Sequence, residues 1–332
     1  MDVSIVIPVY NVAPYIGDSL RSVMRQTYQG AMECLLIDDC GEDDSMVIVK
    51  RMIAEYTGNI RFEILYHDHN RGLSAARNTG TEHATGEYIY YLDSDDEITD
   101  DCIEKMMAVA IKDPTIEMVQ GEYDVNGDGI PYPVIKKYQI TPATTNSDAR
   151  QCYYYHHQII VNAWNKLIKR SFLLKHNLSF KEGILFEDNL WLFYLMKYVS
   201  HVHFISDITY HHRKRSKSIT TGTTHKTTAY HYSIVYQEII THITLGNEVE
   251  ECRFYVRRFW PYYCRYAKIE PAYQDIFPLY WRNARQLKLY SCCLYLAIGY
   301  VFGKFKYGWA ACSLLIRLKH PTLIASDIRH IC

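Results

Sequence analysis

Val3-Ser4-Ile5-Val6-Ile7 opens the chain as an almost unbroken apolar run closed by Pro8, the pattern of a strand buried on both faces. Ile16, Leu20, Val23 and Met24 then share one helical face. Cys34-Leu35-Leu36-Ile37 repeats the apolar run and stops at Asp38-Asp39, and Met46, Val49 and Ile53 stripe a second helix. Phe62, Ile64 and Tyr66 alternate as a third strand, Leu73 to Thr81 reads as a third helix, and Tyr88 to Leu92 is a fourth strand. Strand and helix alternating at this spacing predict an α/β fold: a mainly parallel sheet with helices on both faces. Ligands of such sheets lie outside the carboxyl ends of the strands, where strand order reverses. Val9-Tyr10-Asn11, Asp38-Asp39, the His67 to Leu73 segment and Asp93-Ser94-Asp95-Asp96 all fall there. Carboxylates packed as closely as Asp93, Asp95 and Asp96 repel unless water or a cation neutralises them, so this rim suits a metal and a diphosphate.

Beyond Asp113-Pro114 the regular pattern fades, and Gly121 to Thr145 reads as loop-rich, with Gly127, Gly129, Pro131, Pro133 and Pro142. Helical spacing returns from Asp148, and again from Leu185-Phe186-Glu187-Asp188 through Trp191, Leu192 and Leu195. From about residue 230 the chain reads as helical, aromatic and basic. The expected organisation is 1–115 and 116–228 as two halves of one domain, followed by a helical C-terminal region over 229–332.

Charge changes this picture more than composition does. The 332 residues carry a net charge of −1, but from Arg253 onward thirteen Lys and Arg face three acidic residues, a local net of +10. One end is built to approach something anionic. The uncharged run Leu289 to Gly303 is fifteen residues long, below the roughly 20 that a membrane span needs. A helix lying in a membrane surface over Leu289 to Lys319, with Tyr and Trp at headgroup depth, suits the pattern better; a helical pair packed on the catalytic domain is the alternative. Ten cysteines without a Cys-x-x-Cys spacing, and Met1-Asp2 leading straight into a strand, predict reduced thiols in a cytoplasmic protein. Nucleic acid is not an expected partner.

Four ordered segments carry a resemblance: Ser4-Ile5-Val6-Ile7-Pro8-Val9-Tyr10-Asn11, Leu36 to Ser45, Asn70 to Gly80, and Tyr91-Leu92-Asp93-Ser94-Asp95-Asp96. Trp164-Asn165-Lys166-Leu167, Phe180 to Asp188, and Tyr210-His211-His212-Arg213 with Ser218-Ile219-Thr220 extend it. Together they resemble the family 2 glycosyltransferases of the Rossmann-like GT-A fold over about residues 3–220. The resemblance implies an inverting, metal-dependent transfer of a hexosyl or N-acetylhexosaminyl group from a nucleoside diphosphate, with a UDP-sugar expected, to a hydroxyl. It implies Pro8, Tyr10 and Asp39 at the base pocket, Asp93 with Ser94 on the ribose side, and Asp95 as a ligand of Mn²⁺ or Mg²⁺. It implies Asp188 as the catalytic base, with Glu187 as runner-up and orienting neighbour. His212 or His211 then completes the metal shell or contacts the diphosphate, and Arg213 lies nearby as a cation. Arg77 and Asn78 sit early in the third helix, where they face phosphate or brace the sheet. Asp38 reads as a turn or cap residue, and Lys166 as a weaker candidate for acceptor or phosphate contact.

The chain departs from the family pattern at Ala13, where an acidic residue is usual, and at Cys40-Gly41-Glu42, where Gly-Ser-Thr is usual. A sugar-nucleotidyltransferase would need a Gly-rich loop after the first strand, and Pro8-Val9-Tyr10-Asn11 stands there instead. The expected role is extension of a lipid-linked glycan for a surface polysaccharide, at the inner face of the plasma membrane, by a monomer or a homodimer. The competing role is a non-catalytic nucleotide-sugar sensor or scaffold of a membrane glycan-assembly complex.

Overall fold

In the computed structural model of the chain, the residues described are 1–127, 142–154, 156–214, 223–243 and 249–286. The first three strands and their helices follow the apolar pattern closely: β1 (Val3–Val9), α1 (Ala13–Met24), β2 (Met32–Asp38), α2 (Ser45–Glu55), β3 (Arg61–Tyr66), α3 (Leu73–His83) and β4 (Tyr88–Tyr91). All four strands are parallel, in the order β3-β2-β1-β4. The chain therefore steps outward from β1 to β3 and then returns to the other side of β1. That reversal puts the crevice between the carboxyl ends of β1 and β4.

Pro8 does not close β1; it lies inside the strand, level with Ile37. Its missing N–H faces β4, whose pairing with β1 has already ended at Val6 opposite Tyr91. No ladder bond is lost there, which removes the usual objection to an interior proline.

The second half extends the sheet. After β5 (Glu97–Ile98) and α4 (Cys102–Lys112) come β6 (Met118–Gly127), α5 (Asn146–Tyr154), β7 (Lys166–Lys169), α6 (Arg170–Lys175), α7 (Glu187–Tyr198) and β8 (Val202–Lys214). The sheet continues from β4 as β7-β6-β8-β5. β7 runs antiparallel to both β4 and β6, β8 runs parallel to β6, and β5 is antiparallel to β8. The loop expected to start at Gly121 is thus corrected: Gly121 to Gly127 is strand. The register of β6 against β8 slips between Gln120 and Glu122, and a Cβ on Gly121 would stand 1.9 Å from the Thr209 hydroxyl. A glycine at a bulge, where another strand crosses closely, is compatible with a sheet.

The core beneath the rim is built from Ile5, Ile7, Leu36, Tyr90, Leu92, Met106 and Tyr210 and their neighbours. α3 lies close on β1 because Gly80 offers no side chain there; a Cβ would come within 2.3 Å of Val6.

The chain divides into two compact units, Met1–Gly222 and Thr223–Cys332. The described part of the second unit is three helices: α8 (His225–His242), α9 (Val249–Tyr266) and α10 (Ala272–Gln286). The Thr224 hydroxyl caps α8 by accepting from the Thr227 N–H at 3.1 Å. Stacked rings form the unit's interior, with Phe259 on Tyr280 at 4.2 Å and 5° and Tyr236 edge-on to Phe259 at 5.5 Å. Among the described residues no helix is long and apolar enough to cross a membrane. The expected surface helix over Leu289 to Lys319 lies outside the described residues.

Candidate active site

Tyr10 leaves the carboxyl end of β1 with 45% of its surface exposed, while Pro8 below it is buried. An exposed ring at a crevice mouth offers a face for stacking. Beside it the Asp39 N–H donates to the Val9 carbonyl at 3.1 Å, so Asp39 adjoins the end of β1. Its carboxylate, however, is nearly inaccessible at 2% exposure. One oxygen meets His67 Nδ1 at 2.6 Å and accepts from the Arg71 N–H at 2.8 Å; the other accepts from the Gly72 N–H at 2.8 Å. His67 Nε2 in turn meets the Thr79 hydroxyl at 2.9 Å. Asp39 thus fixes the turn from β3 into α3, where Gly72 takes φ +86°. Asp38 makes the expected turn contact, accepting from the Cys40 N–H at 3.1 Å.

Arg77 lies inside the cluster rather than at its surface. Its guanidinium is buried and joins three carboxylates: Asp93 at 2.8 Å, Glu187 at 2.8 Å and Asp188 at 2.9 Å. It also lies 5.2 Å over the Phe180 ring, which stacks on Trp191 at 4.7 Å. Asn78, one residue on, accepts from the Phe180 N–H and donates to the Phe180 carbonyl, both at 2.8 Å. Two adjacent side chains of α3 therefore clamp the segment leading into α7. Glu187 and Asp188 occupy the first turn of that helix, entered through Phe186 at φ +64°.

Burial sets the electrostatics of this cluster. It pushes the Glu187 carboxyl up to about 7, with repulsion from Asp188 adding and Arg77 opposing. It also raises Asp188, against the pull of Arg77, with Asp93 adding to the rise and Lys166 and the Ala163 N–H opposing it. Arg77 would be lowered by burial, but Asp188, Asp93 and Glu187 outweigh that and hold it charged. One buried cation shared by three carboxylates leaves excess negative charge, so a proton resides on the Glu187–Asp188 pair well above the usual carboxylate range.

The loop after β4 meets β8 on the other side. Ser94 is buried and Asp95 partly so. Asp96 is fully buried and accepts from the Tyr210 hydroxyl at 2.6 Å and the Arg213 N–H at 2.7 Å, with His212 Nδ1 at 3.1 Å. Burial would lower the His212 imidazolium, but Asp96, Asp93 and Asp95 together raise it. Trp164 stacks on both Tyr210 and His212, at 4.4 and 5.6 Å. Arg213 is turned to Glu97 at 2.7 Å and Asp18 at 3.0 Å, and His211 to Asp124 at 2.7 Å; neither reaches the Asp93–Asp95 turn in these contacts.

Among the described residues no group of three or more His, Cys, Asp and Glu is arranged to hold a metal ion. The chemistry nevertheless fits an ion completed by substrate. With Nδ1 engaged by Asp96, His212 would present Nε2 to an ion once its proton is displaced, oriented by a carboxylate as in common outer-shell arrangements. Asp95 would supply a hard oxygen, and Mg²⁺ or Mn²⁺ sites of this type take their remaining ligands from phosphates and water.

Lys166, the weaker candidate for acceptor or phosphate contact, is fully buried at the start of β7, which enters beside the end of β4 with Leu167 opposite Tyr90. Burial lowers its ammonium to about 7, Asp188 opposing. Sequence reasoning placed His67 on the rim but missed its tie to Asp39, and missed Asp96 as the anchor of β8. Tyr153 and Tyr154 are buried.

Residues 4–176 match the model of the family described as Glycosyl transferase family 2. An uncharacterized glycosyltransferase of Haemophilus influenzae is 37% identical over 39% of this chain and 50% of its own length. The putative glycosyltransferase EpsH of Bacillus subtilis is 31% identical over 65% of this chain and 62% of its own. The matches thus span between half and two thirds of these relatives. Among solved structures, S. aureus TarS 1–349 in complex with UDP-GlcNAc superposes with a TM-score of 0.63 at 17% identity, covering 99% of this chain and 88% of that one. The fold is GT-A.

Proposed function

The chain belongs to glycosyl transferase family 2, and we propose that it is an inverting transferase moving a sugar from a UDP-sugar to a hydroxyl of a glycan acceptor. The observation that carries this reading is the Arg77 cluster: a single buried guanidinium ties Asp93, on the donor side, to Glu187 and Asp188, on the acceptor side. Transfer requires that these two sides be held in register, since misplacement of a reacting group by about 1 Å costs on the order of 10²-fold.

Asp188 accepts the proton of the acceptor hydroxyl as its oxygen attacks the anomeric carbon. The bond from that carbon to the phosphate oxygen breaks, and the electron pair leaves with UDP. A positioned general base is worth roughly 10²–10⁴-fold, and a raised carboxyl takes up the proton more readily than an exposed aspartate. Glu187, pushed to about 7, carries the proton that the cluster retains and leaves Asp188 ionised for the reaction. Tyr10 gives the uracil an aromatic face, and Asp39 fixes the turn beneath it. Asp95 and His212 would hold Mn²⁺ or Mg²⁺, which when bound neutralises charge on the departing diphosphate. The UDP-GlcNAc carried by the TarS neighbour supports a UDP donor.

The acceptor in this reading is lipid-linked glycan of a surface polysaccharide, and the +10 charge from Arg253 onward supports attraction to an anionic membrane surface. The test is a donor screen: purified protein with Mn²⁺ and UDP-, GDP- and dTDP-sugars, reading nucleoside diphosphate released. Hydrolysis of one UDP-sugar, lost with chelator and in Asp95→Ala, is the expected result. Release from GDP- or dTDP-sugars alone would overturn the UDP assignment, and absence of any nucleotide binding would overturn the site.

A further inference from the structure

Trp164 is buried, with 3% of its surface exposed, and the transfer chemistry leaves it without a task. Its indole lies nearly parallel to two rings of β8: Tyr210 at 4.4 Å and 9°, and His212 at 5.6 Å and 14°. Residues two apart on a strand share a face, so one flat side chain covers both. Asp96 holds the same pair by their polar atoms, accepting from the Tyr210 hydroxyl at 2.6 Å and meeting His212 Nδ1 at 3.1 Å. A hydrogen bond fixes one atom of the imidazole and leaves the ring free to tilt about it. A parallel neighbour fixes the tilt. Both nitrogens lie in the ring plane, so with the plane and Nδ1 set, the direction of Nε2 is set as well. Among the described residues Nε2 has no hydrogen-bond partner, and 39% of the side chain is exposed. His211, on the opposite face of β8, lies outside this stack and turns to Asp124 at 2.7 Å.

We propose that Trp164 is a positioning residue for His212, whose imidazole it holds by stacking so that Nε2 is aimed before an ion arrives. The inference rests on the reading of His212 as a ligand of Mn²⁺ or Mg²⁺. A ring already held in its bound orientation loses less freedom on binding, and that saving appears as affinity. Trp164 can do this because it is itself held. Tyr123, opposite Tyr210 across β6 and β8, meets the indole edge-on at 4.9 Å and 78°. The next residue, Asn165, sits in the left-handed region at φ +58° and ties the backbone down. Its amide donates to the carbonyls of Gly121 at 2.8 Å and Glu122 at 3.1 Å, on β6, and accepts from the Thr209 hydroxyl at 2.7 Å, on β8. The entry to β7 is thereby joined to both strands, and the indole carries that fixity to the imidazole.

The test is UDP affinity of the full-length protein by calorimetry, measured with Mn²⁺ and again with chelator. The ratio of the two is the coupling between metal and nucleotide. Trp164→Leu should lower that ratio about tenfold, the scale on which a partner behind a ligating imidazole affects metal affinity, while UDP affinity in chelator stays within about threefold. Trp164→Phe, which keeps a flat ring, should return part of the loss. His212→Ala leaves Asp95 in place and should lower the ratio at least as far as Trp164→Leu does. Adding Trp164→Leu to His212→Ala should then cost little more, because a residue acting through His212 has nothing left to act on. An unchanged ratio in Trp164→Leu overturns the inference, and so do losses that add in the double variant. A crystal structure of the unaltered protein with UDP and Mn²⁺ should show Nε2 on the ion with the imidazole still parallel to the indole; a ring turned away from Trp164 overturns the inference even if neither Trp164 variant folds. A full ratio surviving His212→Ala overturns the reading of the ligand instead.

Discussion

Glu187 and Asp188 are adjacent and chemically alike, yet they hold different positions around Arg77, and the proposed reaction gives them different roles on that ground. Glu187 is the more enclosed, with 7% of its side chain exposed against 16% for Asp188, and burial brings it to about 7. Its protonated form is therefore well populated near neutrality, and Glu187→Gln imitates that form. The variant should keep kcat within about tenfold, because it preserves the hydrogen-bonding shape and removes only a charge held partly in check already. The pH dependence follows from sign. A base must be ionised, and both carboxyls are raised by burial, so activity should fall on acidification well before the range of an exposed aspartate. Glu187→Gln imitates a Glu187 that already carries its proton when Asp188 titrates, so it should leave that fall close to where it lies in the unaltered protein. A pH profile of UDP release in both proteins checks it; loss of turnover in Glu187→Gln with retention in Asp188→Asn would exchange the two roles.

At the scale of elements, α3 supplies the clamp, and its close approach to β1 requires the missing side chain of Gly80. A Cβ there would meet Val6 Cγ1 at 2.3 Å and Ile37 Cδ1 at 3.1 Å, and valine has little rotamer freedom to yield. Gly80→Ala should destabilise the protein by about 1–3 kcal/mol, the usual cost of overpacking. It should also lower kcat, since Arg77 and Asn78 ride on the displaced helix; unchanged melting temperature and turnover would contradict the account. The same element shows what the sequence made legible. Alternating strands and helices identified the rim correctly, because the buried strands β1, β2 and β4 are near-continuous apolar runs that end in polar residues. What lay beyond reach was pairing over distance. β7 is four residues long with lysine at both ends, β6 contains Gly121, and neither pattern announces a strand. Without β7, Lys166 cannot be recognised as buried, and without β8 beside β5 nothing connects Asp96 to His212. Arg77 was readable as either phosphate ligand or brace, and its ion pairs with Glu187 and Asp188 depend on the approach of α7, which the sequence does not show.

Over the whole molecule, charge is segregated along the chain, −11 through residue 252 and +10 from Arg253, although the total is −1. A basic segment of this size gains about 1 kcal/mol per Lys or Arg at an anionic surface at physiological ionic strength. The full chain should therefore sediment with phosphatidylglycerol vesicles, remain in solution with phosphatidylcholine vesicles, and be released by high salt, which screens the attraction. Equal binding to both lipids, or none to either, would remove the membrane from the proposal and leave a transferase acting on dissolved glycan.

The central claim is that Asp188 takes the acceptor proton in a sugar transfer from a UDP donor. Its most direct test is Asp188→Asn, measured for UDP release from the donor found in the screen and, on the same preparation, for UDP binding by calorimetry. Asparagine keeps the shape and much of the hydrogen bonding at that position but cannot accept the proton, so turnover should fall by at least about 10²-fold while UDP affinity changes by less than about threefold, because the proposed UDP site is on the Asp93 side of the cluster. Turnover within a few fold of the unaltered protein would remove Asp188 from the mechanism and, with it, the reading of the Arg77 cluster as the join between donor and acceptor.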